Sequence, residues 1–254
     1  MSDRVKADAV TLFQPEPAIR WRFSRYPDTP LPPEEPAGQN PPDGAIIDYY
    51  LKSQAAKVTI EILDHSGKPV RTYSSADIAE PIDPELNVPT FWVRIPANPS
   101  SNPGMHRFVW DLHYTPPYSK AHEYPISAIP HNTPKLPQGA AVLPGDYTVR
   151  LTADGQTFLQ TLHVTMDPRI KTPAAGLEKQ FDLTMRVTNM MNAPEGRADP
   201  MNRRLGGLLN ILQSSDATPT TQAEQAVNDL EKAMKDPAAR AALNKEPVEE
   251  GDEP

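Results

Sequence analysis

The chain has 254 residues, a formal net charge of −8, no cysteine and 31 prolines. The length fits one or two domains of roughly 100–200 residues each. The acidic balance argues against a nucleic-acid partner, because phosphate binding needs a basic face, and the missing cysteines remove disulfides, thiolate zinc sites and cysteine nucleophiles together.

Residues 1–14 read MSDRVKADAVTLFQ. A secretory signal needs a continuous apolar run of roughly 7–15 residues, which Asp3, Lys6 and Asp8 interrupt. The expectation is a cytoplasmic chain, or the end of a longer one whose signal lies upstream. No apolar run approaches the roughly 18 residues of a membrane span. Ile19, Trp21 and Phe23 alternate with Arg20, Arg22 and Ser24, the period of a half-buried strand. Residues 27–44 are dense in proline and read as a linker or a strap laid over a surface.

From Ala45 the period is that of strands. Ile47, Tyr49 and Leu51 share one face, as do Val58, Ile60 and Ile62. Asp64 to Gly67 is a turn, with aspartate accepting local backbone hydrogen bonds and glycine supplying positive φ. Val70 to Tyr73 returns as the second arm of a hairpin. Residues 91–95, FWVRI, give a short apolar run. In HRFVWDLHY, Phe108, Trp110, Leu112 and Tyr114 point inward and Arg107, Asp111 and His113 outward. Tyr147, Val149 and Leu151, a turn at Asp154-Gly155, then Phe158, Leu162, Val164 and Met166 make a further hairpin. Such strands predict an antiparallel sandwich. Ile60, Ile62, Phe108, Trp110, Leu112, Tyr147, Val149, Leu151, Leu162 and Val164 are its expected core. Residues 115–144 hold seven prolines and no period, a loop expected to be functional or packed on something.

After Pro168 the period becomes helical. Thr172-Pro173 reads as an N-cap with proline at the first helical position, and Asp199-Pro200 repeats that signal. Stripes run over 177–191, over Leu205, Leu208, Leu209 and Leu212, and over 226–234. Thr221 and Glu224 have capping-box spacing. Gly206-Gly207 reads as close packing or a weak point. The acidic end is expected to be a disordered tail.

The candidate chemistry is sparse. None of His65, His106, His113, His122, His131 and His163 forms a metal-ligand pair such as H-x-x-x-H, and solvated histidines are expected. His122, Glu123 and His131 are the residues of a site in the 115–144 loop, should one exist there. Asp111 reads as a structural hydrogen-bond or salt-bridge partner. Asp64-x-Ser66-Gly67 is too short for a calcium loop. Tyr114, Tyr118 and Tyr124 either pin the loop or stack on sugars. No nucleophile elbow, phosphate loop or dinucleotide fingerprint occurs. No catalytic, cofactor-binding or metal-ligating residue is assigned, and no cofactor is expected.

GQNPPDGAIIDYYL, VTIEILDHSGKPVRTYSS, GMHRFVWDLHY and VLPGDYTVRLTADGQTFLQTLHVTMDPR occur in that order. This succession resembles the C-terminal region of bacterial exported BNR-repeat proteins, sortilin-like or neuraminidase-like β-propellers labelled glycosyl hydrolases. Its strand–turn–strand pattern is similar to the immunoglobulin-like domain of the flagellar hook-capping protein. The resemblance covers roughly residues 10–190, yet the repeated Ser-x-Asp-x-Gly-x-x-Trp signature of the propeller is absent, so no propeller chemistry transfers to a residue here.

The resulting expectation is a mainly β chain with an α appendage. It comprises a residual strand segment from an upstream domain over 1–26, a linker over 27–44 and an immunoglobulin- or fibronectin-like antiparallel β-sandwich over 45–168. A helical hairpin or three-helix subdomain over 169–236 and an acidic tail over 237–254 follow. The resemblance implies a non-catalytic accessory module, periplasmic or extracellular, that packs against an upstream β-propeller in cis or as a separate chain. The alternative is a carbohydrate-binding or glycoside-hydrolase-associated module with a glycan partner. The ring geometry separates the two, since a planar row in an open groove suits a glycan.

Overall fold

The computed structural model describes residues 8–22, 31–32, 34–36, 38, 41–78, 86, 88–95, 97–120, 124 and 132–243. Eight strands form two sheets among them. β1 (Val10–Leu12), β3 (Ala45–Leu51) and β6 (Gly104–Trp110) make a three-stranded sheet in the order β1-β3-β6. β2 (Ala18–Arg20), β4 (Val58–Leu63), β5 (Pro69–Ser74), β7 (Gly145–Ala153) and β8 (Gln156–Met166) make a five-stranded one in the order β2-β8-β7-β4-β5. Four helices follow, α1 (Ala174–Asn192), α2 (Met201–Gln213), α3 (Thr221–Lys235) and α4 (Pro237–Leu243). The chain is thus mainly β with a helical appendage.

Alternation dictates the long strands. β3 buries every second residue, Ala45, Ile47, Tyr49 and Leu51, and its partner β6 contributes Phe108 and Trp110 in register. The ten residues expected in the core all belong to one buried apolar cluster fed by both sheets. Trp110 is fully buried, donates its Nε1–H to the His113 carbonyl at 3.1 Å and meets Tyr147 edge-on at 5.8 Å. Asp64 Oδ1 accepts from the Ser66 and Lys68 amides, and Gly67 takes φ 80°, so that turn forms as its residue types require.

Four sequence expectations need correction. First, the phase of β2 is reversed: Ala18 and Arg20 are buried, while Ile19 is 52 % and Trp21 36 % exposed. Buried Arg20 donates its Nη1 to the Val142 carbonyl at 2.8 Å, one of the interactions that offset the cost of burying its charge. β2 also pairs parallel to β8, in a sheet whose other pairings are antiparallel. Residues 10–12 and 18–20 are therefore strands of the two sheets, and Phe23 lies outside the described residues. Second, the short apolar run over residues 91–95 does not extend the series of strands. Thr90–Trp92 is a single 3₁₀ turn, followed by one isolated bridge from Val93 to Thr133.

Third, β6 ends at Trp110. Leu112 is buried but takes φ 58°, so the alternation breaks there and His113 is half-buried rather than outward. Fourth, the helix starts differ. Pro173 occupies the N-cap of α1, and the Thr172 hydroxyl donates instead to the Asp216 carbonyl. Pro200 precedes α2 with no side-chain cap, and Thr220, not Thr221, caps α3 through the Ala223 amide. Residues 237–243, expected in the tail, form α4, where Arg240 donates to the last carbonyls of α3.

The chain divides into two compact units. The sheet unit takes residues 1–115, 124–136 and 142–169; the helical unit takes 116–123, 137–141 and 170–254. The 115–144 insertion is thus shared between them by segments. In the helical unit Leu183, Val187, Met191, Leu205, Leu209, Val227 and Leu230 build a second core from α1, α2 and α3. A Cβ on Gly206 or Gly207 would meet open space, so these glycines are not there for close packing.

Candidate functional site

A polar constellation of the sheet unit converges on Arg94. Its Nη2 donates to Asp43 Oδ2 at 2.7 Å and its Nε to Asn132 Oδ1 at 2.7 Å, while Nη1 lies 3.9 Å from Asp111 Oδ2. The main chain adds an Arg94 amide bond to the Thr133 carbonyl at 2.8 Å. Four separated stretches of chain meet at one guanidinium, a group built for several directed bonds at once. Asp111 Oδ1 accepts the His113 amide, and His113 Nδ1 donates to the Asp111 carbonyl at 2.5 Å. Asp111 is therefore the structural partner that its position suggested. Burial raises the Asp43 carboxyl above its ordinary value, only partly offset by Arg94.

Burial holds the His113 ring below its ordinary 6.5, although the carboxylates of Asp111 and Asp43 pull the other way. The unfolded chain then takes up the proton first. Stability of the sheet unit is expected to fall as pH drops below about 6.5, at up to about 1.4 kcal/mol per pH unit. Asp43 acts in the opposite sense, because its raised value lets the folded chain bind its proton first nearer the carboxylate range. Urea unfolding at pH 7.5, 6.5 and 5.5 measures this, and His113→Gln should flatten the decline. Equal slopes in both proteins would assign the pH dependence to other groups.

The remaining expected residues are dispersed. His65 is exposed in its turn, His163 is exposed and paired with Asp146, and the His106 ring lies 5.1 Å from that of Tyr49. Tyr114 packs against the sheet-unit core, whereas Tyr118 belongs to the helical unit. His122, Glu123 and His131 lie outside the described residues, and Tyr124 is half-buried. Phe91 and Trp92 meet at 89°, not as a coplanar platform for a sugar. Among the described residues no group of three or more His, Asp or Glu could hold a metal ion, and no helix is long and apolar enough to cross a membrane. A 440 Å³ depression on α3 is lined by Asn228, Glu231, Lys232, Lys235 and Asp236. Lys235 and Arg186 hold the Glu231 carboxyl at about 2, so it stays ionised rather than serving as an acid.

The two sheets differ in what they turn away from the core. In the β3–β6 register the outward pairs are Ile46 with Val109, Asp48 with Arg107 and Tyr50 with Met105. Two apolar pairs flank a single ion pair, whose forked bonds measure 2.9 and 2.8 Å. Met105 is 51 % exposed. On the five-stranded sheet the corresponding positions are rich in threonine, among them Thr59, Thr72, Thr148, Thr152, Thr157 and Thr161, with Glu61 paired to Arg150 and with Ile19 and Leu159 as exposed apolar residues. A sheet face meant for water reads polar on alternate residues. The threonine-rich face follows that rule apart from Ile19 and Leu159, whereas four of the six outward residues in the β3–β6 register are apolar. Sequence reading missed this face, because Ile46, Tyr50, Met105 and Val109 become neighbours only once the register is known.

Comparison with known proteins adds little. No protein-family profile and no curated protein matches the chain. Among solved structures, the crystal structure of CopC from Methylosinus trichosporium OB3b aligns at 12 % identity over 52 % of this chain and 85 % of that one, with a TM-score of 0.23.

Proposed function

We propose that the chain is a non-catalytic accessory module of an exported, periplasmic or extracellular BNR-repeat protein: an immunoglobulin-like β-sandwich with a helical appendage that docks on a β-propeller. The observation that carries the docking role is the apolar outward face of the three-stranded sheet, Ile46, Tyr50, Met105 and Val109 around the Asp48–Arg107 pair. Outward apolar side chains on both sides of one ion pair support a surface that another body covers, with the charged pair inside its footprint. The sandwich reading is supported by the single apolar cluster to which both sheets contribute. The propeller as occupant comes from the order of the GQNPPDG, GMHRFVWDLHY and VLPGDYT segments, which resembles the region that follows the propeller in those proteins.

Titration calorimetry with a purified BNR-repeat propeller tests the proposal. Saturable binding is expected, weakened at least tenfold by Met105→Glu or Val109→Glu, equivalent to about 1.4 kcal/mol or more. Absence of binding by the unmodified chain would overturn it, as would affinity unchanged by both substitutions.

A further inference from the structure

The helical unit already holds a segment of this chain in the manner of a peptide ligand. The amides of Tyr118 and Lys120, two residues apart, donate to Asn192 Oδ1 at 2.8 Å and Asn202 Oδ1 at 3.3 Å. Alternate amides of an extended chain face the same side, so two acceptors at this spacing read an extended backbone whatever its side chains. Side-chain selection is added by the same turn. The Arg197 guanidinium lies 4.8 Å from the Tyr118 ring centre, and Asp199 Oδ2 accepts from Lys120 Nζ at 3.0 Å. Pro117 is buried.

The receiving groups are preset. Asn202 is only 4 % exposed, and its Nδ2 donates to the Gly196 carbonyl at 3.0 Å, which fixes Oδ1 toward the segment. Arg197 Nε donates to the Asn192 carbonyl at 3.1 Å. Gly196 lies so close to the Met190 carbonyl that a Cβ would come within 1.8 Å, so the turn joining α1 to α2 admits no side chain there. All four receiving side chains come from residues 192–202, while the held segment lies more than seventy residues earlier in the chain.

We propose that the turn over residues 192–202 is a reader of extended Pro-Pro-Tyr-x-Lys peptides, occupied in cis by residues 116–120, and that a partner segment of the same chemistry displaces that resident ligand. A tethered ligand competes at an effective concentration in the millimolar range, so the unmodified chain resists exchange. Weakening the resident segment opens the site. In the full-length Y118A/K120A double variant, labelled with ¹⁵N, the peptide TPPYSK is expected to shift the side-chain amide signals of Asn192 and Asn202 saturably. Its affinity should be at least tenfold higher than for the unmodified chain, and TPPASA should be inert. No shift with about 10 mM TPPYSK would overturn the proposal. Should the double variant lose its helical circular dichroism, Asn192→Ala carries the test in the otherwise unmodified chain. An at least tenfold loss of Tyr118 amide protection then supports the reader, and unchanged protection overturns it.

Discussion

Replacing Trp110 with alanine is expected to cost the sheet unit about 3–5 kcal/mol. The ring has no exposed surface, and it joins the two sheets by its edge-on contact with Tyr147. Truncation removes the largest fully buried side chain, and it also leaves the His113 carbonyl without the indole N–H. The surrounding β-branched and aromatic neighbours are pinned by their strands, so the cavity collapses only in part. Urea denaturation followed by far-ultraviolet circular dichroism reads the loss as a lower midpoint at unchanged slope. A change below about 1 kcal/mol would mean that the two sheets do not share the core assigned to them.

Leu209→Ala is the corresponding change in the helical unit, with an expected cost of about 2–5 kcal/mol. Leu209 is fully buried on the stripe that α2 presents to α1 and α3, together with Leu205, Leu208 and Leu212. Helices of 13 to 19 residues are marginal alone and depend on that shared face. The helical signal at 222 nm should therefore melt at lower urea. Ile211→Ala on the same helix is the control, because Ile211 is 63 % exposed. Equal effects of the two substitutions would contradict the assigned face.

What the sequence revealed depended on how many residues a signal spans. β3, β4, β7 and β8 run for six to eleven residues, long enough for a period of two to separate from noise. β1 and β2 have three residues each, and in β2 polarity misleads as well. The inward arginine there is met by a carbonyl 122 positions later, which the local pattern cannot show. The helical stripes were legible for the same reason as the long strands. Their first residues were not, since Thr172 spends its hydroxyl on the Asp216 carbonyl rather than on a cap. The candidate docking face and the Asn192–Asn202 reader left no local mark, because each joins residues distant in the chain. The hydrogen bond expected of Asp111 was legible because it is local, to the amide two residues on, whereas its approach to Arg94 was not.

In the proposed function a β-propeller covers the apolar outward face of the three-stranded sheet. The most direct measurement follows the Met105 ε-methyl and Leu159 δ-methyl signals of the ¹³C-methyl-labelled chain during titration with a BNR-repeat propeller. Leu159 is 59 % exposed but lies on the threonine-rich face, which makes it an internal reference. A saturable shift of Met105 with Leu159 unmoved is the predicted result. A Met105 signal that stays in place at saturating propeller, or a Leu159 signal that moves instead, would contradict the account.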